Sequence, residues 1–159
     1  LGPLTNPARA DGQVMGVFDA KWAEPLAEVL GNLGARHAFV VAGADNLDEV
    51  ALHGETSVAE VSGEGISTYT IAPEQFGLAR APLSALQGGD AEENAALLRE
   101  VLEGKPGPRR DIILLNAAPA LVAGKAAADL REGVEVARRA IDSGAALAKL
   151  EALIAFSRA

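Results

Sequence analysis

Apolar and polar positions alternate with one period early in the chain and another late. The change divides the sequence into a short lead, a sheet-forming stretch and a helical stretch. Leu1 to Gly12 carries two X-Pro steps, Gly2-Pro3 and Asn6-Pro7, and closes on Ala10-Asp11-Gly12. That pattern predicts an extended, turn-rich hinge over residues 1–12, with a single α/β domain over 13–159. Val14-Met15-Gly16-Val17-Phe18 predicts a short buried strand. Trp22, Leu26, Val29, Leu30 and Leu33 then recur at helical spacing, with Asp19 placed to cap and Gly34 to stop the helix. Pro25 is compatible with this helix if its regular part starts near Trp22 or Ala23, because a proline deeper inside would forfeit a hydrogen bond and clash. His37–Gly43 is a β-type apolar run, so strand, helix and strand together predict a parallel pair. Residues 57–62 and 66–72 flank Gly63-Glu64-Gly65 and predict a hairpin that extends the sheet antiparallel.

From Asp90 the period becomes helical. Asp90 with Glu93 forms a capping box, Leu97, Leu98, Val101 and Leu102 form a stripe, and Gly104 ends it. Residues 111–123 admit either a strand at Ile112–Leu115 or a buried helix containing Pro119, and helix is the preferred reading. Leu130, Val134, Ala137 and Ile141, then Leu147, Leu150, Leu153 and Ile154, predict two terminal helices. The predicted class is α/β: a central, mostly parallel sheet with an antiparallel hairpin, flanked by helices.

Composition narrows the function. Fourteen basic residues against 22 acidic ones give a net charge of −8, which argues against a phosphate-neutralising nucleic-acid surface. No apolar run reaches the roughly 20 residues of a spanning helix, so no membrane role is expected. The absence of cysteine excludes thiol nucleophiles and thiolate zinc sites and is compatible with a reducing cytoplasm, the expected location. His37 and His53 are the only imidazoles, neither with a partner motif, and no serine sits in a nucleophile elbow.

Charge is unevenly spread. His37 to Ala79 contains no lysine or arginine but seven acidic residues, among them Asp45, Asp48 and Glu49 directly after a predicted parallel strand. Ligand-binding groups of α/β folds gather at such strand ends. Hard carboxylate oxygens there suit Mg²⁺, which takes one or two carboxylates together with substrate phosphate and water. The alternative is that Asp48-Glu49 caps a following helix and lines its first turn. On spacing alone, capping is the preferred reading. Gly88-Gly89-Asp90 lacks the full phosphate-loop pattern and is read as a helix cap.

Taken in order, Leu1-Gly2-Pro3-Leu4-Thr5-Asn6-Pro7, Asp45-Asn46-Leu47-Asp48-Glu49, Gly88-Gly89-Asp90 with Glu93-Asn94-Ala95, Leu115-Asn116-Ala117-Ala118 and Ser143-Gly144-Ala145 resemble the anthranilate phosphoribosyltransferase family of tryptophan biosynthesis. The first string is specific; the others persuade as an ordered set. The resemblance implies the C-terminal part of a two-domain enzyme, mostly its α/β domain. It also implies transfer of a 5-phosphoribosyl group from phosphoribosyl diphosphate to anthranilate with Mg²⁺, and a homodimer formed through a helical domain that this chain lacks. By the same resemblance Asp48 and Glu49 would bind the metal, while Gly2 and Pro3 would line the anthranilate pocket.

Three positions depart from the family pattern: Asn46 replaces its usual glycine, Ala42 a common histidine, and Pro119 an alanine. The family's Gly-Thr-Gly-Gly-Asp loop, its Lys-His-Gly-Asn segment and an anthranilate-binding arginine have no counterpart, so the chain alone is expected to be inactive. A relative of the same fold with another acceptor, such as a pyrimidine nucleoside phosphorylase, and a non-catalytic scaffold are the competing readings.

Overall fold

A computed structural model describes residues 2–8 and 10–158. Leu1 and Arg9 of the predicted hinge, and the terminal Ala159, lie outside the described residues. Strands β1 (Gly12–Gly16), β2 (His37–Gly43), β3 (Thr56–Ser62) and β4 (Gly65–Ile71) form one sheet in the order β1-β2-β3-β4. β1 and β2 run parallel, joined through helix α1 (Ala23–Asn32); the β2–β3 and β3–β4 pairings are antiparallel. The α/β class and the hairpin are as predicted, and within this chain the parallel share of the sheet is the β1–β2 pairing.

β2 matches its prediction because it is buried on both faces, which makes its sequence one unbroken apolar run. Its alternate residues feed two cores. Ala38, Val40 and Ala42 pack with Ala27 and Leu30 of α1. Phe39 and Val41 pack with α3 (Pro108–Ala123) and α4 (Leu130–Asp142), through Leu114, Leu115, Val134 and Ile141. β1 begins two residues earlier than predicted. Gly12 reads as a turn residue, but it is a close-approach residue: a Cβ there would meet the Ala123 carbonyl oxygen at 2.5 Å.

α1 starts at Ala23, which leaves Pro25 in its first turn, while Asp19 caps the preceding 3-10 turn by accepting from the Lys21 amide. Helix α2 (Ala91–Leu102) carries the predicted capping box, in which Asp90 accepts from the Glu93 amide at 2.9 Å and Glu93 accepts from the Asp90 amide at 3.1 Å. Residues 111–123 are helical as preferred, and α3 continues through Pro119. Helix α5 (Ala145–Ser157) closes the chain and contains no buried residue among those described. No helix among the described residues is long and apolar enough to cross a membrane.

Candidate active site

β2 is followed only by a 3-10 turn over Ala44–Asn46, and no helix follows Asp48-Glu49, so the capping reading of that pair is overturned. Asp45 and Asn46 adopt φ of 55° and 60°, a left-handed pair that breaks any helical continuation. The path then returns to β3 through Val50, Ala51 and Leu52, all buried in the core. An antiparallel return with its middle sunk into the core leaves no room for a helix. Asn46 tolerates the conformation, as asparagine does more readily than most residues.

The backbone of this loop lies directly on two strand ends. A Cβ at Gly16 would fall 1.6 Å from the Asp48 carbonyl oxygen, and one at Gly43 would fall 2.5 Å from that of Glu49. Both glycines therefore act by absence of a side chain: each lets the loop settle onto the carboxyl end of its strand. Hydrogen bonds fix the loop along its length. Gly43 donates to Leu47 at 2.8 Å and Ala44 donates to Glu55 at 3.0 Å. The Ala51 amide donates to the hydroxyl of Thr56, a fully buried residue, at 2.8 Å. Asn116 of α3 accepts from the Val50 amide at 2.8 Å and donates to the Val50 carbonyl at 2.9 Å.

On this braced backbone the side chains of Asp48 and Glu49 are exposed. Among the described residues, neither has a hydrogen-bond donor or an ion-pair partner. Two adjacent carboxylates without a counter-charge, on a fixed backbone at the carboxyl ends of parallel strands, fit the donor set a hard divalent cation takes from protein. No group of three or more His, Cys, Asp or Glu converges among the described residues. The pair therefore supplies part of a coordination shell and leaves the rest to water or substrate oxygens. Phe18 and Trp22, 63% and 46% exposed, line an open cleft with Gly16 and Asp48.

Gly2 and Pro3 are placed elsewhere. They form a 3-10 turn with Leu4 and Thr5 at the amino end of β1, where Gln13 donates to the Pro3 carbonyl at 3.3 Å. Gln13 and Gly16 are three residues apart on a strand, roughly 10 Å. The structure thus does not bring Gly2 and Pro3 together with Asp48 and Glu49. Pro3 lines a groove between residues 3–13 and the end of α1.

Three residues of the loop's support escape a reading of the sequence. His53 belongs to no motif, yet its Nε2 lies 3.1 Å from the Ala44 carbonyl oxygen and 3.4 Å from an Asp45 carboxylate oxygen. Its Nδ1 is buried with no hydrogen-bond partner among the described residues. Thr56 gives no signal beyond a lone hydroxyl opening a strand. Asn116 shows in the sequence only as part of a motif; a polar residue between Leu114 and Ala118 on an otherwise buried helix face is the available clue.

Residues 1–147 match the glycosyl transferase family, α/β domain. The chain is 58% identical over 154 residues to the anthranilate phosphoribosyltransferase of Geobacter sulfurreducens, covering 97% of this chain and 44% of that protein. It superposes with a TM-score of 0.90 and 48% identity on the crystal structure of the anthranilate phosphoribosyltransferase of Thermus thermophilus, covering 99% of this chain and 46% of that one. A Saccharomyces cerevisiae anthranilate phosphoribosyltransferase in complex with PRPP and Mg matches with a TM-score of 0.83 and 32% identity, covering 95% of this chain and 44% of that one. The chain spans a little under half the length of these relatives. It belongs to the glycosyl transferase family, as an α/β domain of that family.

Proposed function

We propose that this chain is the metal-side, C-terminal half of an anthranilate phosphoribosyltransferase of tryptophan biosynthesis. The reaction joins the anthranilate amine nitrogen to C1 of the ribose as the C1–oxygen bond to diphosphate breaks. Diphosphate leaves with the bonding electrons and the amine gives up a proton. The observation that carries the reading is the exposed, unpartnered Asp48-Glu49 pair on a backbone braced at the carboxyl ends of β1 and β2. The yeast relative with PRPP and Mg supports it from outside the chain.

Bound Mg²⁺ would neutralise charge developing on the diphosphate. Asp48 and Glu49 would hold that ion through their carboxylates, and their fixed backbone would keep it in register with the donor. Gly2 and Pro3 would wall the acceptor pocket by offering a flat apolar surface without competing side-chain motion. They sit toward the other end of β1 from the carboxylate pair, so the donor would extend from the metal along the strand toward the acceptor. The chain alone is expected to be inactive, and the complete protein to be a cytoplasmic homodimer without nucleic-acid or membrane partners. The exposed Trp22, Val29 and Leu33 of the α1 region, and Leu153 and Phe156 of α5, are apolar surface that the remainder of the protein could cover.

The test follows the loss of anthranilate fluorescence by the complete protein with phosphoribosyl diphosphate, with and without Mg²⁺. Magnesium-dependent consumption is expected. A folded complete protein that leaves anthranilate unconsumed would move the assignment to another acceptor or to a scaffold.

A further inference from the structure

We infer that Asn116 is the positioning residue of the metal loop, acting on Asp48 and Glu49 through the peptide groups of Val50. The inference rests on the proposed metal role of that pair. Val50 is the next residue after Glu49, and it is 2% exposed. Its amide and its carbonyl both take their hydrogen bonds from the single carboxamide of Asn116, 66 residues away on α3. This is a two-point contact, with Oδ1 accepting at 2.8 Å and Nδ2 donating at 2.9 Å, so it fixes direction as well as distance. The carboxamide is itself held, because Nδ2 also donates to the Ile112 carbonyl of its own helix at 3.0 Å.

The other supports of the loop are passive or distant from the carboxylates. Gly16 and Gly43 provide clearance, Thr56 holds Ala51, and His53 reaches back to Ala44. Val50 packs its side chain against α3, and among the described residues Asn116 alone hydrogen-bonds its peptide groups to that layer, which packs under β2. Only a primary carboxamide offers one donor and one acceptor in this fork. Aspartate at 116 would set an oxygen against the Val50 carbonyl, and alanine would leave both buried peptide groups unpaired. Side chains that orient metal ligands without touching the metal typically shift metal affinity 10- to 100-fold.

The test uses the complete protein, with Mn²⁺ as a paramagnetic stand-in for Mg²⁺, and compares wild type, Asn116→Ala and Asn116→Asp. In metal-free Asn116→Ala, amide hydrogen exchange over residues 44–51 should rise at least about ten-fold while exchange in α4 stays at the wild-type rate. Mn²⁺ affinity should fall about ten-fold or more, with Asn116→Asp as damaging as Asn116→Ala. Unchanged loop exchange in a folded variant would overturn the inference, as would a loosened loop that binds Mn²⁺ as well as wild type. Should neither variant fold, the wild-type protein decides: slow exchange of the Val50 amide and of the Asn116 carboxamide protons supports the bridge, and free exchange of either refutes it. An Asp48→Asn protein with undiminished Mn²⁺ affinity would sink the metal reading itself, a failure separable from any result at 116.

Discussion

Carboxylates stand near both ends of β2, and they are treated in opposite ways. Beside its amino end Glu60 of β3 is engaged at both oxygens: His37 Nε2 lies 2.7 Å from one and the Tyr69 hydroxyl donates to the other at 2.7 Å. His37 also stacks on Phe39, with ring centroids 5.0 Å apart, so the cluster is held from several sides. Beyond the carboxyl end the side chains of Asp48 and Glu49 have no partner among the described residues, although the residues on either side of them are held by hydrogen bonds and their own carbonyls lie against Gly16 and Gly43. A carboxylate engaged at both oxygens by neighbouring side chains serves the fold. One left bare on a rigid support is available to a ligand, and here the fold fixes where the charge sits rather than neutralising it.

The contrast can be broken most forcefully at the bare end. Replacing Asp48 by Asn in the complete protein should lower magnesium-dependent turnover about a hundred-fold or more, the scale of losing one group that stabilises developing charge. Its melting temperature should stay near wild type, because the Asp48 carboxylate has no hydrogen-bond or ion-pair partner among the described residues; steady-state kinetics and a thermal melt check both halves. Gly16→Val attacks the floor instead of the ligand. Its Cβ would need the space of the Asp48 carbonyl oxygen, so the loop must lift, at a cost of about 1–3 kcal/mol in urea unfolding and with weakened metal binding.

Thr56→Val keeps shape and removes the acceptor for the Ala51 amide, which should cost about 1–3 kcal/mol in the same unfolding experiment. The paired end has its own signature in pH. Burial, and then the hydrogen bond to Glu60, push the Tyr69 hydroxyl pKa well above its ordinary value. A pKa raised in the folded state means the unfolded chain deprotonates first, so this contribution is complete below pH about 10 and is lost as pH rises beyond it. Urea titrations from about pH 9 to about pH 11 should show stability falling, with the slope reduced in Tyr69→Phe. Smallest of all, Pro3→Ala should change stability by less than about 1 kcal/mol, since the 3-10 turn it leaves is exposed. Any effect of that substitution should appear as a raised KM for anthranilate in the complete protein.

The sequence carried the fold wherever local pattern and final environment agree. His37–Gly43 is buried on both faces and reads as a strand; Asp90 with Glu93 reads as a cap and is one. It misled where a neighbour distant in sequence decides the outcome. Gly12 looks like a turn until Ala123 of α3 lies against it, and Asp48-Glu49 looks like a helix start until the return to β3 pulls Val50–Leu52 into the core. The carboxylate pair was singled out as a metal site by the family resemblance, since on spacing alone its residues read as a helix cap. Its support was not, since Asn116 lies 66 residues away from the peptide it holds and Thr56 shows only as a hydroxyl. That Gly2 and Pro3 stand at the far end of β1 likewise follows only from the parallel pairing and the contact with Gln13.

The most direct test sets the two carboxylates against each other in the complete protein: Asp48→Asn and Glu60→Gln, each measured for melting temperature and for magnesium-dependent anthranilate consumption. The account predicts a crossed result, with Asp48→Asn losing turnover and keeping its melting temperature while Glu60→Gln keeps turnover and melts several degrees lower. Turnover by Asp48→Asn at the wild-type rate, or its loss in Glu60→Gln alone, would contradict it.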